Sequence, residues 1–393
     1  MGAQRKSSTS RGLTITDWRL TRFQVRRDRV IGDSQVAFDA FHAVALELTD
    51  GSGRTGLGFA HTMWDPMPPL AVMEATFAAH VWPGLDGMVP AALVHRIERP
   101  RGGAQRDATY GFGEAMQIAL WDLAAQQAGL PLSEYLGGSK RSAPVYASGL
   151  DFHLSDAEFT SFFARASSLG FSAFKIKLGH AEAAWDLNRL DLLRDVVGPD
   201  ATVMVDANEG WSPKDASHRL ELFRKAGHDI YWVEDPILRT DIEGLKALSA
   251  AHPWTLINSG EYLDVSGRAR LLMARATDII NVHGRISEVM HIGWLAAELG
   301  IPVALGNTTL ETGVHAACAL PEVPWLEYSF QNYDFLVDEP FGIQEGRIHV
   351  PDRPGLGLTL SETARRDWAA PEVLSSEEMR RAPDCRMFQK LSA

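Results

Sequence analysis

The chain has 393 residues, 45% of them hydrophobic and 22% charged, with a formal net charge of −12. That balance supports a large buried core and argues against nucleic acid as the main partner, because phosphate binding needs a concentrated basic surface. Two cysteines, Cys318 and Cys385, are too few for a disulfide framework or a cysteine-rich zinc site, and no run reaches the ~18 apolar residues of a membrane span. Unpaired thiols fit a reducing compartment, so the expected location is cytoplasmic, with no membrane partner.

Met1–Arg11 is basic and serine-rich and lacks the apolar stretch of a signal peptide; residues 1–12 are read as a disordered lead-in. Residues 13–138 read as an α+β unit. Alternating segments Ile15–Val25 and Ala40–Leu48 are joined through Asp33-Ser34, and Asp50-Gly51-Ser52-Gly53 gives a hairpin signal. A helix over Glu114–Gln127 stops at Gly129 and Pro131. Residues 143–330 change pattern, with short apolar strands that alternate with helical stretches. The strands are Pro144–Ser148, Ala173–Leu178, Thr202–Ala207, Tyr231–Glu234, Thr255–Asn258, Asp278–Val282, Pro302–Leu305 and Trp325–Tyr328. Eight such units predict a closed parallel α/β barrel, with an open doubly wound sheet as the alternative. Residues 331–393 are turn-rich, with Pro351, Pro354, Gly355 and Gly357, and are expected to pack back on the first unit.

Charge interrupts the barrel in one place, the strand ends. Lys177, Asp206, Glu234 and Glu261 follow one another at intervals of 29, 28 and 27 residues, one strand–helix repeat each. Equivalent strand ends meet at the C-terminal face of a β/α barrel, where active sites lie. Three carboxylates gathered there repel one another unless a cation neutralises them. All-oxygen ligation by Asp206, Glu234 and Glu261 favours magnesium or manganese over zinc. Lys175 and Lys177, two apart, point to the same side. Beside a metal cation each should lower the other's pKa, leaving an amine that serves as a general base. The alternative is a pair with buried stems and heads reaching solvent.

These residues resemble the enolase superfamily in its mandelate racemase-like branch. The matching motifs are Lys175-Ile176-Lys177, Val205-Asp206-Ala207-Asn208 with Gly210-Trp211, Val233-Glu234-Asp235-Pro236 and Gly260-Glu261, with Ala119-Leu120-Trp121-Asp122, Gly137-Gly138 and Pro354-Gly355-Leu356-Gly357 outside the barrel. The resemblance spans Thr14 to Leu360. It implies a modified (β/α)7β TIM-like barrel under an α+β capping domain that the C-terminal segment completes, in a homo-oligomer. It also implies magnesium on Asp206, Glu234 and Glu261. Lys175 and the metal would bind the carboxylate of a small acid, and Lys177 would remove the proton on the adjacent carbon. Asn208 would contact substrate and Asp235 would support the ligands.

The chain departs from that branch at two strands. An aspartate at the end of the sixth strand and a histidine at the end of the seventh are replaced by Val282-His283 and Leu305-Gly306-Asn307, and the lysine of the muconate-lactonizing branch is missing as well. His283 is therefore either the acid or base opposite Lys177 or a structural histidine of the rim. Glu327 stands where the family often has a glutamate near the substrate carboxylate, and otherwise forms a rim salt bridge. Asn307 is a further substrate-binding candidate. With no assured second base, the expected reaction is dehydration of a sugar acid. Racemisation, epimerisation or cycloisomerisation of a carboxylate and a non-catalytic carboxylate-binding barrel are the alternatives. A metal-dependent hydrolase would need histidine ligands early in the barrel, and Val145-Tyr146-Ala147-Ser148 supplies none. Arg26, Arg27, Arg29, the stretch Val30–Phe38, Trp64 and Tyr110 are candidates either for pocket walls or for interdomain packing.

Overall fold

A computed structural model describes residues 12–63, 66–98, 112–306, 310–329, 332–382 and 384–388. Met1–Arg11, Trp64, Tyr110 and Asn307 lie outside them. Period-two alternation builds an antiparallel sheet from β1 (Ile15–Gly32), β2 (Ala37–Asp50) and β3 (Thr55–Thr62). Asp50 closes the β2–β3 turn, its Oδ1 accepting from Ser52 N at 2.9 Å and Arg54 N at 3.0 Å. β1 and β2 run further than the alternation predicts. Their pairing shifts register between Arg26 and Ile31, so the charged stretch that breaks the alternation is a bulge within a strand. The helix Gly113–Ala128 covers one face of the sheet, burying Met116, Ala119, Leu120 and Leu123.

Eight parallel strands form the barrel: β4 (Ser142–Ser148), β5 (Ala173–Lys177), β6 (Thr202–Asp206), β7 (Trp232–Glu234), β8 (Leu256–Ser259), β9 (Ile279–Asn281), β10 (Val303–Leu305) and β11 (Trp325–Tyr328). A helix follows each of the first seven, which is the (β/α)7β order. The ring closes where Leu326, Glu327 and Tyr328 of β11 pair with Val145, Tyr146 and Ala147 of β4, which rules out the open sheet. Tyr146, Ala173, Met204, Trp232, Ile279 and Ala304 fill its interior.

The C-terminal segment serves both units. β12 (Ile343–Gln344) and β13 (Arg347–His349) form a hairpin that adds antiparallel to β4, so this part extends the barrel rather than packing on the first unit. The chain then crosses to the cap. The buried Arg22 guanidinium donates to Ala370 O at 2.6 Å and Glu372 O at 2.8 Å. β14 (Asp384–Cys385) pairs in parallel with Arg26 and Arg27 of β1. Just beyond it, buried Phe388 reaches the barrel and stacks on Tyr328 and Phe162 at 5.5 and 5.4 Å.

One carboxylate accounts for two of the motifs outside the barrel. Asp122 Oδ2 accepts from Leu57 N of β3 at 2.7 Å, and Oδ1 accepts from Leu356 N at 2.7 Å. Gly355 makes that approach possible: its φ is +76°, and a Cβ there would lie 1.9 Å from Asp122 Oδ1. Both cysteines are free and buried. Among the described residues no helix is long and apolar enough to cross a membrane.

Candidate active site at the barrel mouth

Register brings the charged strand ends together. Lys177 of β5 is the partner of Asp206 of β6, which is in turn the partner of Glu234 of β7. Glu261 lies two residues past β8, beyond Gly260, whose φ of +120° bends the chain back over the mouth. Arg268 fixes that bend, Nε donating to Gly260 O at 2.9 Å and Nη2 to Glu261 O at 2.5 Å.

The six ionisable side chains at the centre, Lys175, Lys177, Asp206, Glu234, Glu261 and Glu327, are each no more than 5% exposed. Lys175 Nζ lies 2.9 Å from Glu234 Oε2, 3.1 Å from Glu327 Oε1 and 3.6 Å from Asp206 Oδ2. Lys177 Nζ donates to Asp206 Oδ2 at 2.6 Å and to Asn208 Oδ1 at 2.8 Å. Lys175 does lower the pKa of Lys177, as expected of the pair, but the carboxylates outweigh it. Burial works against both charges, but Asp206 beside Lys177, and Glu234 and Glu327 beside Lys175, hold both lysines above the ordinary value. A divalent cation on the same carboxylates would draw that negative charge away and free Lys177 to act as a base.

The carboxylates divide unevenly. Burial opposes the charge of Asp206, yet Lys177 and Lys175 keep its pKa below the usual range. Burial lifts Glu234 well above that range despite Lys175, and burial with Asp206 nearby pushes Glu261 up to about 8. Glu261 Oε2 is buried with no hydrogen-bond partner. An orphaned oxygen, surplus negative charge and an all-oxygen donor set fit a hard divalent cation. Ligand atoms of Glu234, Asp235 and Glu261 already lie within 4.8 Å of one another. Asp235, however, is committed to the protein: Oδ2 accepts from Arg239 Nε at 2.7 Å, and Oδ1 from Ser259 Oγ at 2.6 Å. Asp206 Oδ2 is held by ammonium groups alone, which a cation can displace.

His283 follows β9 by two residues. β9 is four strands from β5 in either direction around the ring, so His283 and Lys177 stand on opposite sides of the mouth. The ring is half-buried, edge-on to Tyr262 at 5.4 Å. Burial, then Arg268 and Arg239, push its pKa down to about 3, so it is a neutral imidazole.

A cleft of about 230 Å³ opens over Lys177, Asn208, Glu261 and Glu327, roofed by Gln35 of the β1–β2 loop and Phe38 at the start of β2. Gln35 Nε2 donates to Asn208 O. The capping arginines do not line it: the Arg27 guanidinium lies 4.3 Å over Phe41, and that of Arg29 lies 5.3 Å over Phe162. Three site residues escaped the sequence reading. Asn281 donates from Nδ2 to Glu234 Oε1 at 2.9 Å; its signal was a polar residue inside an apolar strand, two before His283. Arg239 and Tyr262 sit in loops after strand ends, where periodicity says nothing.

A family model described as Enolase C-terminal domain-like matches residues 159–364. An L-talarate/galactarate dehydratase of Salmonella typhimurium strain LT2 is 34% identical over 64% of this chain; the match spans 63% of that enzyme, less than two-thirds of its length. Further curated relatives include cycloisomerases and dipeptide epimerases. Among solved structures, a provisionally assigned mandelate racemase from Mesorhizobium loti is 54% identical with a TM-score of 0.88, covering 95% of this chain and 99% of that one. The L-talarate dehydratase of Polaromonas sp. JS666, complexed with magnesium and L-glucarate, is 28% identical with a TM-score of 0.77, covering 91% and 97%.

Proposed function

The chain belongs to the enolase C-terminal domain-like family, and on that premise we propose that it removes the proton adjacent to the carboxylate of a sugar acid and expels the neighbouring hydroxyl as water. The observation that carries this reading is the mouth itself, where Lys177 stands beside three buried carboxylates and across from His283. Asp206, Glu234 and Glu261 would hold magnesium or manganese. When bound, the cation supplies positive charge next to the substrate carboxylate, which makes the adjacent C–H more acidic. Lys175 orients that carboxylate while Glu327 fixes the lysine. Lys177 takes the proton, Asn208 steers its Nζ, and the C–H electron pair becomes the enediolate double bond. The β C–O bond then breaks, and the proton that Lys177 has taken leaves with the hydroxyl as water. The resulting enol tautomerises to a 2-keto acid.

A second reading is favoured by the placement of His283. A histidine opposite Lys177 has the placement a two-base racemase or epimerase needs, and the relative at 54% identity is provisionally a racemase. Both readings are tested by a magnesium-dependent screen of acid sugars in deuterated water, read by mass spectrometry. Loss of water is expected; inversion with deuterium incorporation and no loss of water would select the epimerase. Absence of any α-deuterium from the whole panel, with magnesium bound, would leave a carboxylate-binding barrel.

A further inference from the structure

Arg239 occupies the loop between β7 and the helix Ile242–Ala251 and is 7% exposed. Its guanidinium faces three acids at once. Nε donates to Asp235 Oδ2 at 2.7 Å, Nη1 lies 2.8 Å from Glu209 Oε2, and Nη2 lies 3.6 Å from Glu261 Oε2, the buried oxygen without a hydrogen-bond partner. Its backbone N–H donates to Glu209 Oε1 at 2.7 Å. Glu209 N in turn donates to Asp235 O at 2.7 Å. Glu209 and Asp235 both hold positive φ, +62° and +39°, a conformation non-glycine residues adopt only where surroundings impose it. One planar cation thus ties together the loops after β6, β7 and β8, with the Tyr262 ring stacked on it at 4.9 Å.

We propose that Arg239 is a positioning residue for the metal-holding carboxylates, aiming Glu261 and locking Asp235 so that a divalent cation meets a preformed set of oxygens. This rests on the functional reading above. Arg239 lines the edge of the cleft, but its guanidinium nitrogens face Asp235, Glu209 and Glu261. Its geometry and its charge act in opposite directions on cation binding. As a cation close to a ligand oxygen it repels a second cation, so charge alone predicts that removing it tightens binding. As an orienting partner it predicts the reverse, because groups that hold metal ligands in place are worth about 10- to 100-fold in affinity.

The test is calorimetric titration of the full chain with magnesium, for wild type, Arg239→Lys and Arg239→Gln, with circular-dichroism melts to certify folding. Arg239→Gln should bind magnesium about tenfold more weakly or worse. Arg239→Lys, which keeps the repelling charge but loses the fork, should weaken binding at least as much. At saturating magnesium its α-proton exchange rate should recover, which a damaged base would not allow. Equal or tighter magnesium binding by folded Arg239→Gln overturns the proposal. If that variant does not fold, unchanged affinity in Arg239→Lys overturns it. Failure of the wild type to bind magnesium would instead bring down the functional reading, so the two failures are distinguishable.

Discussion

Replacing Lys177 with methionine separates its chemistry from its electrostatics. Methionine keeps an unbranched stem in the buried slot and deletes the ammonium that lies 2.6 Å from Asp206 Oδ2 and 2.8 Å from Asn208 Oδ1. Proton exchange at the α carbon should fall by about 10²–10⁴-fold, the usual contribution of a positioned base. Magnesium affinity should move the other way. A cation binding Asp206 must displace a charge-assisted hydrogen bond worth roughly 1.5–3 kcal/mol net, and each 1.4 kcal/mol is about a factor of ten. Lys175, 3.6 Å from the same oxygen, remains and keeps part of that competition. The lower end is therefore expected, about tenfold tighter binding in Lys177→Met. Calorimetry at pH 8 and exchange in deuterated water measure the two quantities. Unchanged or weaker magnesium binding would show that lysine and cation do not contest Asp206. Undiminished exchange would remove Lys177 as the base.

Two further predictions concern the scaffold. Gly355→Ala places a Cβ 1.9 Å from Asp122 Oδ1 at a φ of +76°. The left-handed backbone and the displaced Leu356–Asp122 hydrogen bond should together cost about 3 kcal/mol, read as a lowered urea midpoint; an unshifted midpoint would mean that the seam closes without Asp122. His315 is fully buried, accepting from Ser133 N at 3.1 Å, and burial, then Arg141, depresses its pKa from 6.5 to about 4 against the raising effect of the Leu356 carbonyl. As pH falls, the unfolded chain therefore takes up this proton before the folded one does. The stabilisation is present above pH 6.5 and is lost towards pH 4, by roughly 3 kcal/mol. The stability gap between wild type and His315→Gln should narrow across that window, and a gap independent of pH would contradict the assignment.

Much of the barrel was legible because its strands are short apolar runs spaced by one repeat, a pattern that burial on both faces enforces. The observed strands differ from the expected ones by no more than two residues at either end. Convergence of Asp206, Glu234 and Glu261 followed from the same spacing. The ion pairs of the two lysines did not, because sequence intervals place Cα atoms and not the ammonium 2.6 Å from one chosen oxygen. β1 was cut short at Val25 because the charged run Arg26-Arg27-Asp28-Arg29 breaks the apolar alternation, whereas Arg27 is 3% exposed and stacked on an aromatic ring. Asn281 and Arg239 were missed for a related reason. Their roles come from long-range partners that no local period encodes.

The pairing of β14 with β1 has a consequence for how the molecule is made. Arg27 and Cys385 touch across 358 residues of chain. At about 5–20 residues per second, a ribosome needs on the order of tens of seconds to supply that distance. Throughout that interval the outer side of β1 is an open edge, able to hydrogen-bond with another nascent chain. The charged bulge at Arg26–Arg29 lies on the stretch that waits longest. Charges and bulges on an unpaired edge discourage strand addition, so the feature that disguised this strand in the sequence also guards it during synthesis.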